Sequence, residues 1–184
     1  MNRRLSLTTA LLLLLAVASA VFALSLASGS LPLTIGEIVQ SFSAQQPSIA
    51  RDVVLELRLP RALSAFAVGG LLSLAGAMLQ VLLRNPLADP YVLGVSGGAS
   101  VLALLAIMVG LPAAGVDGAA ALGAFGACLL VFALAQGPGG WTPTRLLLTG
   151  VVVAAGAGSV VSLLLALSDD TALRGMVFWL LGDL

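Results

Sequence analysis

At 184 residues, 60% of them hydrophobic and only 9% charged, the chain carries far less charge than a soluble domain, in which roughly 25% of residues are charged. Eight arginines balance eight acidic residues, with no lysine and no histidine; nothing supports a nucleic-acid partner, and no histidine cluster or cysteine pair is present to hold a metal. What remains is an integral membrane protein with the bilayer as its main solvent.

A helix needs ~20 apolar residues to span a bilayer, and five uncharged runs approach that length, at about 5–27, 62–83, 92–111, 118–136 and 146–167. Backbone groups must pair internally in lipid, and runs this long and continuous suit helices rather than barrel strands. In the first, Arg3 and Arg4 precede a leucine stretch and Ala18-Ser19-Ala20 resembles a signal-peptidase site. The apolar run continues to Ala27, past the ~7–15 residues of a signal core, so it reads as a retained helix.

Residues 28–61 are the one long polar segment. Thr34 and Glu37 have the spacing of a capping box opening a helix at IGEIVQSF, and a second helix is expected from Ser48 until Pro60 interrupts it. The segment reads as amphipathic and interfacial, on the extracytoplasmic side.

The second run is expected to stop near Leu83, because Asn85-Pro86 and Asp89-Pro90 are turn signals that force the residue before each proline out of the helical region. Gly94, Gly97 and Gly98 open the third run. Gly94 and Gly98 form a GxxxG pair, with Ser96 and Ser100 beside it, on which another backbone can pack. A phosphate-binding glycine loop is disfavoured, since a chain without lysine has no GxxxxGK[ST] element. Asp117 sits at the edge of the fourth run as an interfacial or capping carboxylate, and the lone Cys128 within it reads as a packing residue.

Small residues recur at helical spacing: Gly69, Ser73 and Ala77; Ala119, Gly123 and Ala127; and Gly150, Ala154, Gly158, Ser162 and Ala166. Such stripes let helices approach in lipid. In the fifth run Gly156, Ser159 and Ser162 add polarity, and a smooth wall along a solute pathway is the competing reading. None of the five runs contains an ionisable residue, which disfavours a proton- or ion-coupled carrier. Asp169-Asp170 suit a loop or helix cap. Charge does not settle orientation, because an inside N-terminus places Arg3, Arg4, Arg84 and Arg145 inside against Arg51, Arg58, Arg61 and Arg174 outside. The early arginines favour a cytoplasmic N-terminus, with Tyr91 and Trp141 at the inner interface and Phe178 and Trp179 at the outer.

From Arg58 to Ser100 the chain reads RLPRALSAFAVGGLLSLAGAMLQVLLRNPLADPYVLGVSGGAS. Arg58, Pro60 and Arg61 make R-x-P-R; Gln80 closes a G-x-x-x-Q; Arg84, Asn85, Pro86, Leu87, Asp89 and Pro90 belong to R-N-P-L-A-x-P; Gly94 and Gly98 frame L-G-x-x-x-G-A. This block resembles the signature region of the FecCD-type permeases, the membrane subunits of bacterial ABC importers for iron–siderophore, haem and cobalamin. LLLTG at Leu146–Gly150 and FWLLGDL at Phe178–Leu184, where relatives read W-x-x-G-S-L, extend the resemblance over nearly the whole chain.

The resemblance implies an all-α integral membrane permease of ten helices with both termini cytoplasmic, of which residues 1–184 supply five helices, the amino-terminal half. The coupling segment between the sixth and seventh helices has no counterpart here. It further implies a second permease subunit, a separate ATPase that uses ATP, a periplasmic or surface binding protein, no cofactor on this chain, and residence in the bacterial inner membrane. The fifth helix would line the route, with Gly156, Gly158, Ser159 and Ser162 in its wall. Arg84 would lie near the carbonyls ending the second helix, Asp89 would pair with exposed amides, and the prolines would fix the crossing to the third.

Overall fold

The computed structural model describes residues 6–43, 48–137 and 139–182, and divides within one helix into units of residues 1–70 and 71–183. Arg3 and Arg4, used above for orientation, and the closing Asp183-Leu184 lie outside the described residues.

In the first unit α1 (Leu7–Ala27) starts where the Ser6 hydroxyl accepts the Thr9 N–H at 3.2 Å. It runs unbroken through Ala18-Ser19-Ala20, and Leu11 to Leu15 are all exposed. Five consecutive residues cover every azimuth of a helix, so α1 is apolar all round and suited to lipid. The short α2 (Ile35–Ser43) begins with the expected capping box: the Glu37 carboxylate accepts the Thr34 N–H at 2.7 Å, and the Thr34 hydroxyl accepts the Glu37 N–H at 3.3 Å. The Thr34 backbone N–H, then its hydroxyl, hold the Glu37 pKa below the ordinary glutamate value. A depressed carboxylate pKa stabilises the fold above the unfolded value, and that contribution is lost as pH falls through the folded one. The first turn of α2 is therefore expected to lose hydrogen-exchange protection on acidification through the carboxylate range, corrected for intrinsic rates. Glu37→Gln should abolish the pH dependence; an equal dependence in that variant would remove Glu37 as its cause.

The break expected at Pro60 is absent. One helix, α3 (Ile49–Leu83), runs for 35 residues. Its N-cap is Ser48, whose hydroxyl accepts the Arg51 N–H at 3.2 Å. Just ahead of the proline, Val53–Arg58 form a π-helical turn, and the Leu59 N–H reaches back five residues to the Val54 carbonyl. Proline removes an N–H and crowds the carbonyl four residues back, and a wider turn at that place absorbs both. Residues 49–61, read as interfacial, therefore extend the spanning helix.

In the second unit α3 ends at Leu83, and a 3₁₀ turn over Pro90–Leu93 leads into α4 (Val95–Met108). Then come α5 (Ala113–Leu134), α6 (Pro143–Leu167) and α7 (Asp170–Leu181). Among the described residues α1, α3, α5 and α6 are long and apolar enough to cross a membrane, whereas α4 is a shorter apolar helix. The run 92–111 thus corresponds to only 14 helical residues, ~21 Å at 1.5 Å per residue, less than the ~30 Å hydrocarbon core. Left-handed glycines bound it: Gly94 at φ 69° and Gly110 at φ 75°. At the latter, the Gly110 and Leu111 N–H groups close on the Ile107 and Ala106 carbonyls, a Schellman closure.

The fourth and fifth spans begin earlier than 118 and 146. A charge bounded each uncharged run, but Asp117 is exposed within α5 and Arg145 within α6. Thr142 caps α6 by accepting the Arg145 N–H at 3.3 Å, with Pro143 in the first turn. Asp169 caps α7 by accepting the Ala172 N–H at 3.3 Å.

The centre of this unit is α4. Its buried Ala103 and Ala106 pack with Val116 of α5, and its Leu104 with Leu164 of α6 and Met176 of α7. A further cluster joins Leu79 and Leu83 of α3, Leu93 of the 3₁₀ turn, Val131 of α5 and Leu146 of α6.

Candidate functional site

Arg58 and Arg61 follow one another on α3, but only Arg58 is buried. Its Nη1 donates to the Leu26 carbonyl at 2.8 Å and the Ala27 carbonyl at 3.1 Å, and its Nη2 donates to the Leu31 carbonyl. The last carbonyls of a helix lack intrahelical partners and carry its negative end, so this guanidinium closes α1. Pro60 and Arg61 remain exposed.

The turn after α3 is built from its own backbone and two Asx side chains. Arg84 adopts φ 50°; its N–H meets the Val81 carbonyl at 3.3 Å and the Asn85 N–H meets the Gln80 carbonyl at 3.1 Å. This is the closure that Gly110 makes at the end of α4, with arginine in the left-handed place. The Arg84 side chain is exposed, so its backbone rather than its charge ends the helix. Asn85 Oδ1 accepts the Leu87 N–H at 2.9 Å and Asp89 Oδ1 accepts the Tyr91 N–H at 2.8 Å. Pro86 and Leu87 are exposed, while Ala88 is buried and Pro90 starts the 3₁₀ turn. Arg84→Gly is expected to raise stability by about 1 kcal/mol, since a left-handed non-glycine residue costs roughly that much. Thermal unfolding in detergent checks it; a lower midpoint would show that the arginine side chain contributes more than the strain takes away.

Gly94 and Gly98 do not share a partner. A Cβ on Gly94 would lie 3.2 Å from Val153 Cγ1 of α6, and one on Gly98 would collide with the Gly123 carbonyl of α5. The left-handed Gly94 precedes the first turn of α4, which separates the pair into two contacts. Of the α6 stripe, Gly150 and Ala154 face the 3₁₀ turn and Gly94, whereas Gly158, Ser162 and Ala166 are exposed.

Gly158, Ser159 and Ser162 lie within roughly 100° of one another at 100° per residue. Each hydroxyl is turned onto its own helix: Ser159 donates to Ala155 at 3.1 Å and Ser162 to Gly158 at 3.0 Å. A satisfied hydroxyl leaves a face that is small, uncharged and weakly polar. Gly156 does not join them; with Gly98, Gly123 and Gly126 it lines an open groove of about 420 Å³ between α4, α5 and α6. A larger apolar groove of about 820 Å³ is bounded by Leu72, Met78, Pro90, Leu93 and Cys128. No group of three or more His, Cys, Asp or Glu able to hold a metal occurs among the described residues.

The FecCD transport family matches residues 12–184. The chain belongs to that family. The FecCD chain is 42% identical over 155 residues to the vitamin B12 import system permease protein BtuC of Vibrio cholerae, covering 82% of this chain and 46% of the relative. It is 42% identical over 181 residues to the ferric enterobactin transport system permease protein FepD of Escherichia coli, covering 95% and 52%. A solved structure of a metal-chelate type ABC transporter in an inward-facing conformation superposes with a TM-score of 0.75 at 32% identity, over 94% of this chain and 53% of that one. The FecCD chain thus spans about half the length of these relatives.

Sequence reasoning missed the closure of α1 by Arg58 and the contact of Gly123 with Gly98. The first joins residues about 30 apart. The second was visible only as a GxxxG and a separate small stripe, with nothing to say which stripe met which.

Proposed function

We propose that this chain is part of the membrane permease of a binding-protein-dependent ABC importer, carrying an iron–siderophore, haem or cobalamin across the bacterial inner membrane. Family membership across residues 12–184 is the observation that carries this reading. The relatives named for vitamin B12 and ferric enterobactin point to bulky chelates and corrins as the substrate class. A second permease subunit, ABC ATPases and a periplasmic or surface binding protein complete the assembly, with the N-terminus cytoplasmic. ATP is used by the ATPase; this chain binds no cofactor and performs no catalysis.

Within it, Gly158, Ser159 and Ser162 form wall of the route. Their hydroxyls already have acceptors, and no charge on this face grips a passing solute, so contacts stay weak and release stays fast. Affinity then belongs to the binding protein and energy to the ATPase.

Deletion of the gene should abolish uptake of radiolabelled ferric siderophore or cobalamin in spheroplasts supplied with binding protein, and its return should restore it. Uptake should be stopped by vanadate and survive a protonophore. Loss with the protonophore alone would replace an ATP-driven importer by an ion-coupled carrier. Gly158→Leu in the complete permease is expected to cut uptake at least tenfold while leaving the amount of folded protein unchanged. Unchanged uptake would take this face out of the pathway.

A further inference from the structure

We infer that α2 is a lipid-anchoring helix, whose Ile35, Val39 and Phe42 sit in the boundary between headgroups and hydrocarbon of the leaflet that α1 reaches at Ala27. This rests on the membrane reading of α1 and α3 and adds a docking surface on the segment between them.

The helix is inverted relative to one stabilised by water. Ile35 is 78% exposed, Val39 62% and Phe42 55%, whereas the residue it buries is Ser41. The Ser41 hydroxyl can be buried because it donates to the Glu37 carbonyl at 2.7 Å. At 100° per residue the helix has three sectors. Ile35, Val39 and Phe42 occupy roughly 60°; Ser41, beside half-buried Ile38, faces the rest of its unit; Gly36, Glu37, Gln40 and Ser43 occupy a third sector centred roughly 130° from the apolar stripe, with Glu37 and Gln40 farthest from it. With the apolar stripe downward, the protein-facing and polar sectors take the two upper flanks, an arrangement that suits a helix lying in a membrane surface.

Continuity identifies lipid as the occupant. The residues between Ala27 and Ile35 are few, and α2 contacts α1, whose Leu11 to Leu15 are exposed all round and whose Leu24 stays exposed near its end, while Leu26 turns into the unit. The apolar stripe therefore begins where the lipid-facing surface of α1 ends. Charge narrows the lipid: the only ionisable residue on α2 is Glu37 and there is no cation, so zwitterionic headgroups suffice and anionic lipid adds nothing.

The test is spin-label depth measurement on the chain in phosphatidylcholine vesicles, with Cys128→Ala to remove the native thiol. Single labels go at Ile35→Cys, Val39→Cys and Phe42→Cys on the stripe, at Gly36→Cys and Gln40→Cys on the polar side, and at Leu14→Cys in mid α1. Oxygen should reach labels 35, 39 and 42 several-fold better, relative to aqueous nickel chelate, than labels 36 and 40, with 14 deepest; adding phosphatidylglycerol should not change the ratio. Equal access of nickel to all α2 positions would overturn the proposal in favour of a water-facing helix. Immobile stripe labels reached by neither reagent would overturn it in favour of a protein partner. In both cases a deep label at 14 leaves the membrane reading standing, and a water-accessible label at 14 removes both.

Discussion

Gly123→Ala is expected to destabilise the helical bundle by about 2–3 kcal/mol, the upper part of the range for overpacking a filled contact, while Gly126→Ala, one turn along the same helix, is neutral or stabilising by about 0.5–1 kcal/mol through helix propensity. The two glycines face different surroundings. A Cβ on Gly123 would collide with the Gly98 carbonyl and lie 3.1 Å from Leu102 Cβ, whereas one on Gly126 meets nothing within 4 Å. A side chain can escape a new methyl by changing rotamer; a backbone carbonyl in the first turn of α4 cannot move without its helix. The reciprocal change, Gly98→Ala, meets the Gly123 carbonyl and places its methyl 2.5 Å from Ala127 Cβ. Both substitutions open the same gap, so the double variant should cost clearly less than the sum of the two singles. Thermal or denaturant unfolding of the detergent-solubilised protein checks the pattern. Equal behaviour at positions 123 and 126 would mean that the α4–α5 crossing is not the tight contact described, and strict additivity would mean that the two glycines do not share one gap.

The contrast shows what a sequence without side-chain geometry could yield. Apolar runs marked all the long helices, because the bilayer demands length and absence of charge. They misplaced ends wherever a charge sits inside a helix: Asp117 and Arg145 each truncated a run whose helix continues past it. The Thr142-Pro143 pair, an N-cap followed by proline, was a readable start signal for α6. Local hydrogen bonding was legible too, since the box of Thr34 with Glu37 and the cap by Asp169 need only neighbours in sequence. Pro60 misled because the π turn that accommodates it has no composition of its own. In the candidate site, smallness was legible and direction was not. Gly150, Ala154, Gly158 and Ser162 form one stripe on paper, but a stripe at every fourth residue drifts about 40° per step, enough to carry its first members into the packed side and its last members out of it.

Arg58→Ala is expected to cost on the order of 3 kcal/mol, because it strips the donor from the Leu26, Ala27 and Leu31 carbonyls together, and each buried acceptor left unpaired costs about 1–3 kcal/mol less whatever water can replace. Arginine is the residue that can make this closure: Nη1 spans two successive carbonyls while Nη2 reaches a third in the loop beyond. Arg58→Lys should therefore recover only part of the loss, since an ammonium on a flexible stem has no such fork. Gly29 supplies an independent check. A Cβ there would lie 2.6 Å from Nη2 and 2.9 Å from Cζ of Arg58, so Gly29→Ala should displace the guanidinium and destabilise in the same direction. The π turn ahead of Pro60 brings Arg58 to this place, and the loop between α1 and α2 is shaped around it. In the Arg58→Ala background the obstruction disappears, and Gly29→Ala should then be nearly harmless. That double-mutant cycle separates a specific closure of α1 from a general need for glycine in the loop: a full Gly29→Ala penalty without the arginine would mean that the glycine serves the backbone, and a vanished penalty means that it makes room for Arg58.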